Sequence, residues 1–223
     1  MPGALTERLA FWGTYWPSFH FATFGLGLRV AGRENVPPAG PVIYAANHLS
    51  FADPWLVGQA SPRRLNYLAK QELFRVPVLA PVIRAFGAVP IDRGFGKEGL
   101  QAVVNLLKTG AAVLVFAEGE RSLTGVMLPL KPGVALLLKK ADCPVVPVGV
   151  AGAFRMWPRG TKWPTPEPLF GPADDRSVAV AFGEPIPAGT FAKADRDDIL
   201  KRVASGMATA IAAAERVRRK PRG

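Results

Sequence analysis

The sequence predicts an α/β domain with a largely buried sheet. Three observations predict it. Short apolar runs of strand length alternate with longer stretches of helical period, the pattern of helices packed against a sheet. The runs at 42–46, 112–116 and 145–150 read as buried strands. The residues able to do chemistry gather just after such runs, where open α/β sheets place their sites. A chain of 223 residues supports one substantial core and is short for two full domains. It shows no internal repeat.

Residues 9–28 carry no formal charge and lie between Arg8 and Arg29. That length suffices to span a bilayer. The stretch also holds Pro17, His20, three glycines and a run of aromatics that includes Trp12, Tyr15 and Trp16. Tryptophan and tyrosine favour the headgroup level, so it reads as two short amphipathic helices, broken near Pro17, that dock in the membrane interface.

Residues 32–40, with Pro37-Pro38, form a turn-rich link to the strand at 42–46. Asp53-Pro54 then marks the start of a helix at 55–60, with Asp as N-cap and Pro in the first turn. Strands follow at 65–69 and 88–91. Between them, 72–86 is helical in pieces, interrupted by Pro77 and Pro81. In 97–108, Leu100, Val103, Val104 and Leu107 share one helical face, and Gly110 stops the helix. Next come a strand at 112–116, a helix at 134–140 and a strand at 145–150. Residues 157–172, rich in Pro and Gly, read as a long loop. A strand at 178–182 precedes a helix at 195–217, capped at Asp195. The predicted organisation is a docking segment (1–31), an α/β domain (32–217) and a basic tail (218–223).

The chain is 49% hydrophobic and carries a net charge of +11, with mean hydropathy +0.16. Apolar yet basic, it suits an anionic membrane surface or phosphorylated small molecules. It has no zinc spacing and no RNP-like aromatic motif, and its basic residues are dispersed except at the C-terminus, so no nucleic-acid partner is expected. One cysteine, Cys143, forbids an internal disulfide and points to a reducing compartment. It precedes Pro144 and an apolar strand, as a core residue would. The N-terminus lacks the order of a signal peptide.

The stretch Asn47-His48-Leu49-Ser50-Phe51-Ala52-Asp53 lies between a strand end and a helix start. Five residues along a regular helix would turn the Asp53 carboxylate away from the His48 imidazole. With His48 ahead of the helix and Asp53 at its mouth, the turn can fold them together. The carboxylate then fixes the imidazole tautomer and leaves the other nitrogen as a general base. Alone, the pair also reads as a surface histidine and a helix cap.

Three more segments end strands: 87–93, closing on Asp92-Arg93; 116–122, containing Glu118-Gly119-Glu120-Arg121-Ser122; and 146–150. Arg93 and Arg121 are the residue type that grips phosphate bidentately. Glu118-Gly119 permits a tight turn and can offer an N–H and a carboxylate to a polyol. Lys97 and Lys131 can add positive charge. The plainer alternatives are an Arg121–Glu118 ion pair and a solvated Arg93. His20, with no nearby acid, reads as structural.

In this order and spacing the four segments resemble the glycerophosphate acyltransferase family, specifically its 1-acyl-glycerol-3-phosphate (lysophosphatidate) acyltransferases. That family's Asn-His-x-Ser-x-x-Asp is matched by Asn47, His48, Ser50 and Asp53. Its Gly-x-x-Phe-Ile-Asp-Arg is matched with Pro90 in place of Phe. Its Phe-Pro-Glu-Gly-Thr-Arg-Ser is matched with Ala117 for Pro and Glu120 for Thr, and its Val-Pro-Val stretch at 146–150. The segments span about half the chain.

The resemblance implies transfer of a fatty acyl group from acyl-CoA or acyl carrier protein to lysophosphatidate, making phosphatidate for phospholipid biosynthesis. It implies His48 as base, Asp53 as its orienting carboxylate, and Arg93, Glu118, Gly119 and Arg121 around the acceptor. It implies no metal and no cofactor beyond the thioester co-substrate. The expected location is the cytoplasmic face of the cell membrane, as a peripheral or monotopic protein whose partners are the acceptor, the donor and the membrane. Glu120 puts a negative charge beside the phosphate site, which leaves glycerol-3-phosphate or another lysolipid open as acceptor.

Two readings compete. A peripheral protein of this fold could bind lipid without turnover. And Gly94-Phe95-Gly96-Lys97-Glu98-Gly99 matches a dinucleotide fingerprint, with Glu118 about 20 residues on, as in an oxidoreductase. Against the second, the preceding strand is very short and Asp92-Arg93 intervene.

Overall fold

The computed structural model describes residue 13 and residues 15–92, 96–161 and 177–219. Among them, seven strands form one sheet in the order β1-β7-β6-β2-β5-β3-β4. They are β1 (Arg29–Ala31), β2 (Val42–Ala46), β3 (Leu65–Lys70), β4 (Ala88–Ile91), β5 (Ala112–Phe116), β6 (Val145–Ala151) and β7 (Ala179–Phe182). Strands β6, β2, β5, β3 and β4 run parallel. β7 is antiparallel to β6 and carries β1 parallel to itself.

The helices are α1 (Asp53–Ala60), α2 (Leu79–Ala85), α3 (Lys97–Lys108), α4 (Pro132–Lys140) and α5 (Arg196–Arg219). Alternate side chains of β2 sort to opposite faces, as the two-residue period of a strand requires. Val42, Tyr44 and Ala46 join the core under α1, with Leu56, Val57 and Ala60. Ile43 and Ala45 join the core under α3, α4 and α5, with Val103, Leu137 and Val203. Both faces of the sheet centre are therefore dry, which is why the parallel strands are apolar in continuous runs.

α3 has the predicted bounds and buries Leu100, Val103 and Leu107. Asp195 caps α5, its Oδ1 accepting the Asp198 N–H at 2.8 Å. At the other end the Arg29 guanidinium and the Ser177 hydroxyl donate to the Val217 and Arg218 carbonyls. These bonds satisfy carbonyls a helix end leaves open. α5 thus continues past position 217, and Arg218 pairs with Glu215 at 3.0 Å.

α5 crosses β6 at Gly149, where a Cβ would lie 2.2 Å from the Ala210 carbonyl carbon and the Ile211 nitrogen. Both are backbone atoms, so neither yields by a rotamer change. Gly149→Ala is expected to destabilise the fold by about 1–3 kcal/mol, as overpacking does. A shifted urea midpoint at unchanged slope would register it. Cys143 is buried, and burial pushes its thiol up to about 11, in keeping with a core residue.

The N-terminal region departs from expectation. Residues 15–20 are helical straight through Pro17 and run into a π turn at Phe21–Gly25. The Ser18 hydroxyl donates to the Tyr15 carbonyl at 2.9 Å, beside the missing proline N–H. The helix ends instead at Leu26 and Gly27, the glycine at φ 60°. Ala22, Leu26 and Leu28 belong to the protein's own core, and β1 is a sheet strand. The end of the segment read as membrane-docking is therefore built into the α/β domain. Residues 1–12, the other part of that reading, lie outside the described residues.

Candidate active site

β2 and β5 are adjacent, paired from Val42↔Ala112 to Ala46↔Phe116. The helix after β2 covers one face of the sheet and the helix after β5 the other. The two loops diverge there and open a crevice at the carboxyl ends of the strands, the place where α/β sheets bind ligands. The loop after β2 carries His48 and that after β5 carries Glu118.

His48 Nδ1 lies 2.8 Å from Asp53 Oδ2. The same oxygen accepts the N–H groups of Leu49 and Ser50 at 2.6 and 2.7 Å. Asp53 is fully buried and is the first residue of α1. It was expected to cap that helix, but Ala52 stands at the N-cap position and no side chain caps it. The Asp53 carboxylate turns back onto the 48–50 loop instead. A carboxylate oxygen only accepts, so Nδ1 carries the proton and Nε2 keeps its lone pair. The imidazole also stacks on Phe116, ring centroids 3.8 Å apart and planes at 14°.

The other polar residues of the segment hold the loop. The Asn47 amide replaces the next rung of the β2–β6 ladder, donating to the Val150 carbonyl at 3.0 Å and accepting its N–H at 2.8 Å. The Ser50 hydroxyl donates to the Trp157 carbonyl at 3.1 Å and accepts the Ala52 N–H at 3.2 Å.

Glu118 and Gly119 take roles other than those expected. Glu118 is fully buried. Its Oε1 accepts the His48 N–H at 2.7 Å and its Oε2 the Leu128 N–H at 2.6 Å. The Gly119 N–H is bonded to the Phe116 carbonyl, and Gly119 turns at φ 71°. The carboxylate is buried and both groups are engaged in building the turn, rather than presented to a polyol. The Ser122 N–H donates to the His48 carbonyl at 2.8 Å, so the third segment grips the first at both backbone groups of His48. Burial pushes the Glu118 carboxyl above its usual range, against the two N–H bonds that pull it down.

Arg121 is not paired with Glu118. Its guanidinium lies 5.7 Å from the Phe51 ring centroid. Arg93 lies outside the described residues. Lys97 is an exposed residue at the start of α3. Lys131 pairs with Glu120 at 3.3 Å. Glu120 also binds Arg159 at 2.7 Å and so does not stand bare beside Arg121.

A groove of about 870 Å³ reaches the dyad. His48, Arg121 and Lys70 line it among mainly apolar residues, including Phe51, Trp55, Ile83 and Trp157. Sequence reasoning missed Lys70 and gave the loop that begins at Trp157 no role. Lys70 ends β3, and the β3–β5 pairing is what brings that strand beside the crevice. The dinucleotide reading fares worse. β4, the strand before its glycines, is the sheet edge and not the central crevice, and Gly94 and Phe95 lie outside the described residues. Among the described residues, no group of three or more His, Cys, Asp or Glu side chains is placed to hold a metal.

The sequence profile of the Acyltransferase family matches residues 27–151. The 1-acyl-sn-glycerol-3-phosphate acyltransferase BAT2, chloroplastic, of Brassica napus is 31% identical over 140 residues, 60% of this chain and 40% of that protein. The 1-acyl-sn-glycerol-3-phosphate acyltransferase of Saccharomyces cerevisiae is 34% identical over 153 residues, 65% of this chain and 50% of that protein. The chain thus spans two fifths to one half of these relatives. The crystal structure of the 1-acyl-sn-glycerophosphate (LPA) acyltransferase PlsC from Thermotoga maritima matches all of this chain and 86% of its own, with TM-score 0.75 at 22% identity, a likeness of fold. The profile covers more than half of the sequence and contains all four strand-end segments, so the chain belongs to the Acyltransferase family.

Proposed function

We propose that this protein moves a fatty acyl group from a thioester donor, acyl-CoA or acyl carrier protein, to the free hydroxyl of 1-acyl-glycerol-3-phosphate, yielding phosphatidate. The observation that carries the reading is one groove holding a base, a phosphate-type cation and a long apolar wall: His48, Arg121 and the lining around Trp55 and Ile83. The names of the relatives support the acceptor.

The acceptor hydroxyl meets His48 Nε2, which takes its proton as the oxygen attacks the thioester carbon. The tetrahedral intermediate collapses, the C–S bond breaks, and the departing thiolate takes that proton from the imidazolium. Asp53 stabilises the imidazolium and fixes the ring. The step balances with hydroxyl and thioester alone and forms no acyl-enzyme. Arg121 and Lys70 face the acceptor phosphate, with Arg93 expected to join them. Glu118 and Gly119 serve the acceptor through the backbone they shape.

The groove suits a lipid taken from a surface. Phe21 on one wall and Val82 on another are exposed, and Trp16, Phe24 and Val78 beside them are 51%, 76% and 81% exposed. Neither the 3₁₀ turn Gln71–Arg75 nor α2 buries a residue, and Arg75 and Arg84 lie among their apolar side chains. Apolar residues interspersed with cations favour an anionic leaflet. We place the protein as a peripheral one on the cytoplasmic membrane face. Among the described residues, no helix is long and apolar enough to cross a membrane.

The test is thiol release from acyl-CoA by the detergent-purified protein, with lysophosphatidate, glycerol-3-phosphate and a neutral lysolipid as acceptors. Release is expected to require an acceptor and to be fastest with lysophosphatidate. Arg121→Ala is expected to raise KM for lysophosphatidate ~10-fold or more, the scale of a lost charged hydrogen bond, and to leave the neutral lysolipid little affected. Equal losses for both would remove Arg121 from phosphate binding. Preference for glycerol-3-phosphate would keep the reaction and change the acceptor.

A further inference from the structure

We propose that Glu120 is a positioning residue that latches the segment 157–161 across the active-site groove and so sets the wall beside the acceptor. The proposal rests on the acyl-transfer reading for its kinetic consequence, and on this chain's own departure from the family pattern, Glu where Thr is usual, for its origin.

The segment follows β6, the short turn Ala153–Arg155 and Met156. It is tied down at two points. At the first, the Trp157 carbonyl accepts the Ser50 hydroxyl at 3.1 Å and the Phe51 N–H at 3.2 Å. At the second, one guanidinium nitrogen of Arg159, Nη1, donates to Glu120 Oε2 at 2.7 Å and to the Arg121 carbonyl at 3.0 Å. The other Glu120 oxygen holds Lys131 at 3.3 Å, which ties the latch to the residue before α4. Between the two tethers the Trp157 indole packs on Phe51, ring centroids 4.7 Å apart. Arg121 lies against the same Phe51 ring, and Trp157, Phe51, Arg121 and His48 line one groove.

The three charges are partly exposed, with side-chain exposures of 38–57%, so their worth to global stability is small. Their geometric effect is local. Glu120 is the group that turns the side chain of Arg159 back onto the strand-end loop of β5. Without it, the second tether is reduced to the Arg159 bond to the Arg121 carbonyl, and Arg159 and Lys131 become unneutralised cations beside Arg121. A threonine at 120 has no carboxylate with which to hold either. The dyad is fixed by other bonds, to Asp53, Glu118 and Ser122. The latch therefore acts on acceptor binding and leaves the proton transfer in place.

The experiment uses the full chain with two readouts. One is KM and kcat for lysophosphatidate. The other is the ¹⁹F resonance of Trp157 in 5-fluorotryptophan-labelled protein, assigned with Trp157→Phe. Glu120→Ala is expected to raise KM ~3–10-fold with kcat within about twofold, the scale of losing a small charge network, and to shift or broaden the Trp157 resonance. Glu120→Asp is expected to recover part of both. The exchange Glu120→Arg with Arg159→Glu is expected to restore both relative to either single change. An unmoved Trp157 resonance and an unchanged KM in Glu120→Ala would overturn the latch, as would an exchange no better than its worse single variant. If the wild-type protein turns over no lysophosphatidate, the functional reading fails while the Trp157 resonance still decides the latch.

Discussion

His48→Ala is expected to lower acyl transfer at least ~10²-fold, the loss that follows removal of a positioned general base. The protein should stay folded, because the backbone groups of His48, bonded to Glu118 and Ser122, are untouched by the substitution. The imidazole contributes packing on Phe116, so a modest fall in the thermal midpoint is expected and no loss of cooperativity. Single-turnover rates separate this from a binding defect: the chemical step should fall while acceptor affinity holds. Asp53→Asn makes a contrasting pair. It also disables the base, since an amide can present its N–H₂ to Nδ1 and reverse the tautomer. But Asp53 Oδ2 also accepts two backbone N–H groups in a fully buried position, so this variant should lose stability as well as rate. A His48→Ala protein that retained a tenth or more of the wild-type rate would take the dyad out of the mechanism.

How far the sequence disclosed this molecule depends on the kind of contact in question. β2, β4, β5 and α3 have the predicted bounds because each is a local pattern, a short apolar run or a helical face stopped by a glycine. β1 is three residues, Arg29 to Ala31, too short to show a period and adjoining an uncharged aromatic stretch. Its strand character comes only from pairing with β7, 150 residues on. The His48–Asp53 contact was legible because both residues lie within one turn pinned by Pro54. The Glu118 contact was not. Its partner N–H groups belong to residues 48 and 128, and a backbone N–H leaves no trace in composition. A carboxylate among strand-end motifs therefore read as a ligand group when burial makes it a brace. Lys70 is one of 28 Lys and Arg residues, and only the sheet order brings it to the groove.

Glu118 gives the second large expectation, and it separates the two roles. As a brace, its carboxyl group is the acceptor for two N–H groups, and leaving such a donor unsatisfied costs about 1–3 kcal/mol each. Glu118→Ala is then expected to cost about 3–5 kcal/mol, enough to unfold a marginal domain. Glu118→Gln keeps one acceptor, turns an amide N–H₂ toward the other N–H, and is expected to cost about half as much. Urea unfolding of both variants measures this directly. The pH dependence adds an independent check. Burial raises the folded carboxyl above its ordinary value, so the folded state binds the proton more tightly than the unfolded one. Across the window from the ordinary value to the raised one, this group's contribution to stability falls as pH rises. Glu118→Gln, which cannot ionise, should flatten that slope. Had Glu118 bound the acceptor instead, the same variants would raise acceptor KM and leave the urea midpoint unchanged. A loss of stability accompanied by a loss of rate at saturating acceptor is the signature of the brace, because the backbone of His48 moves with the carboxylate that holds it.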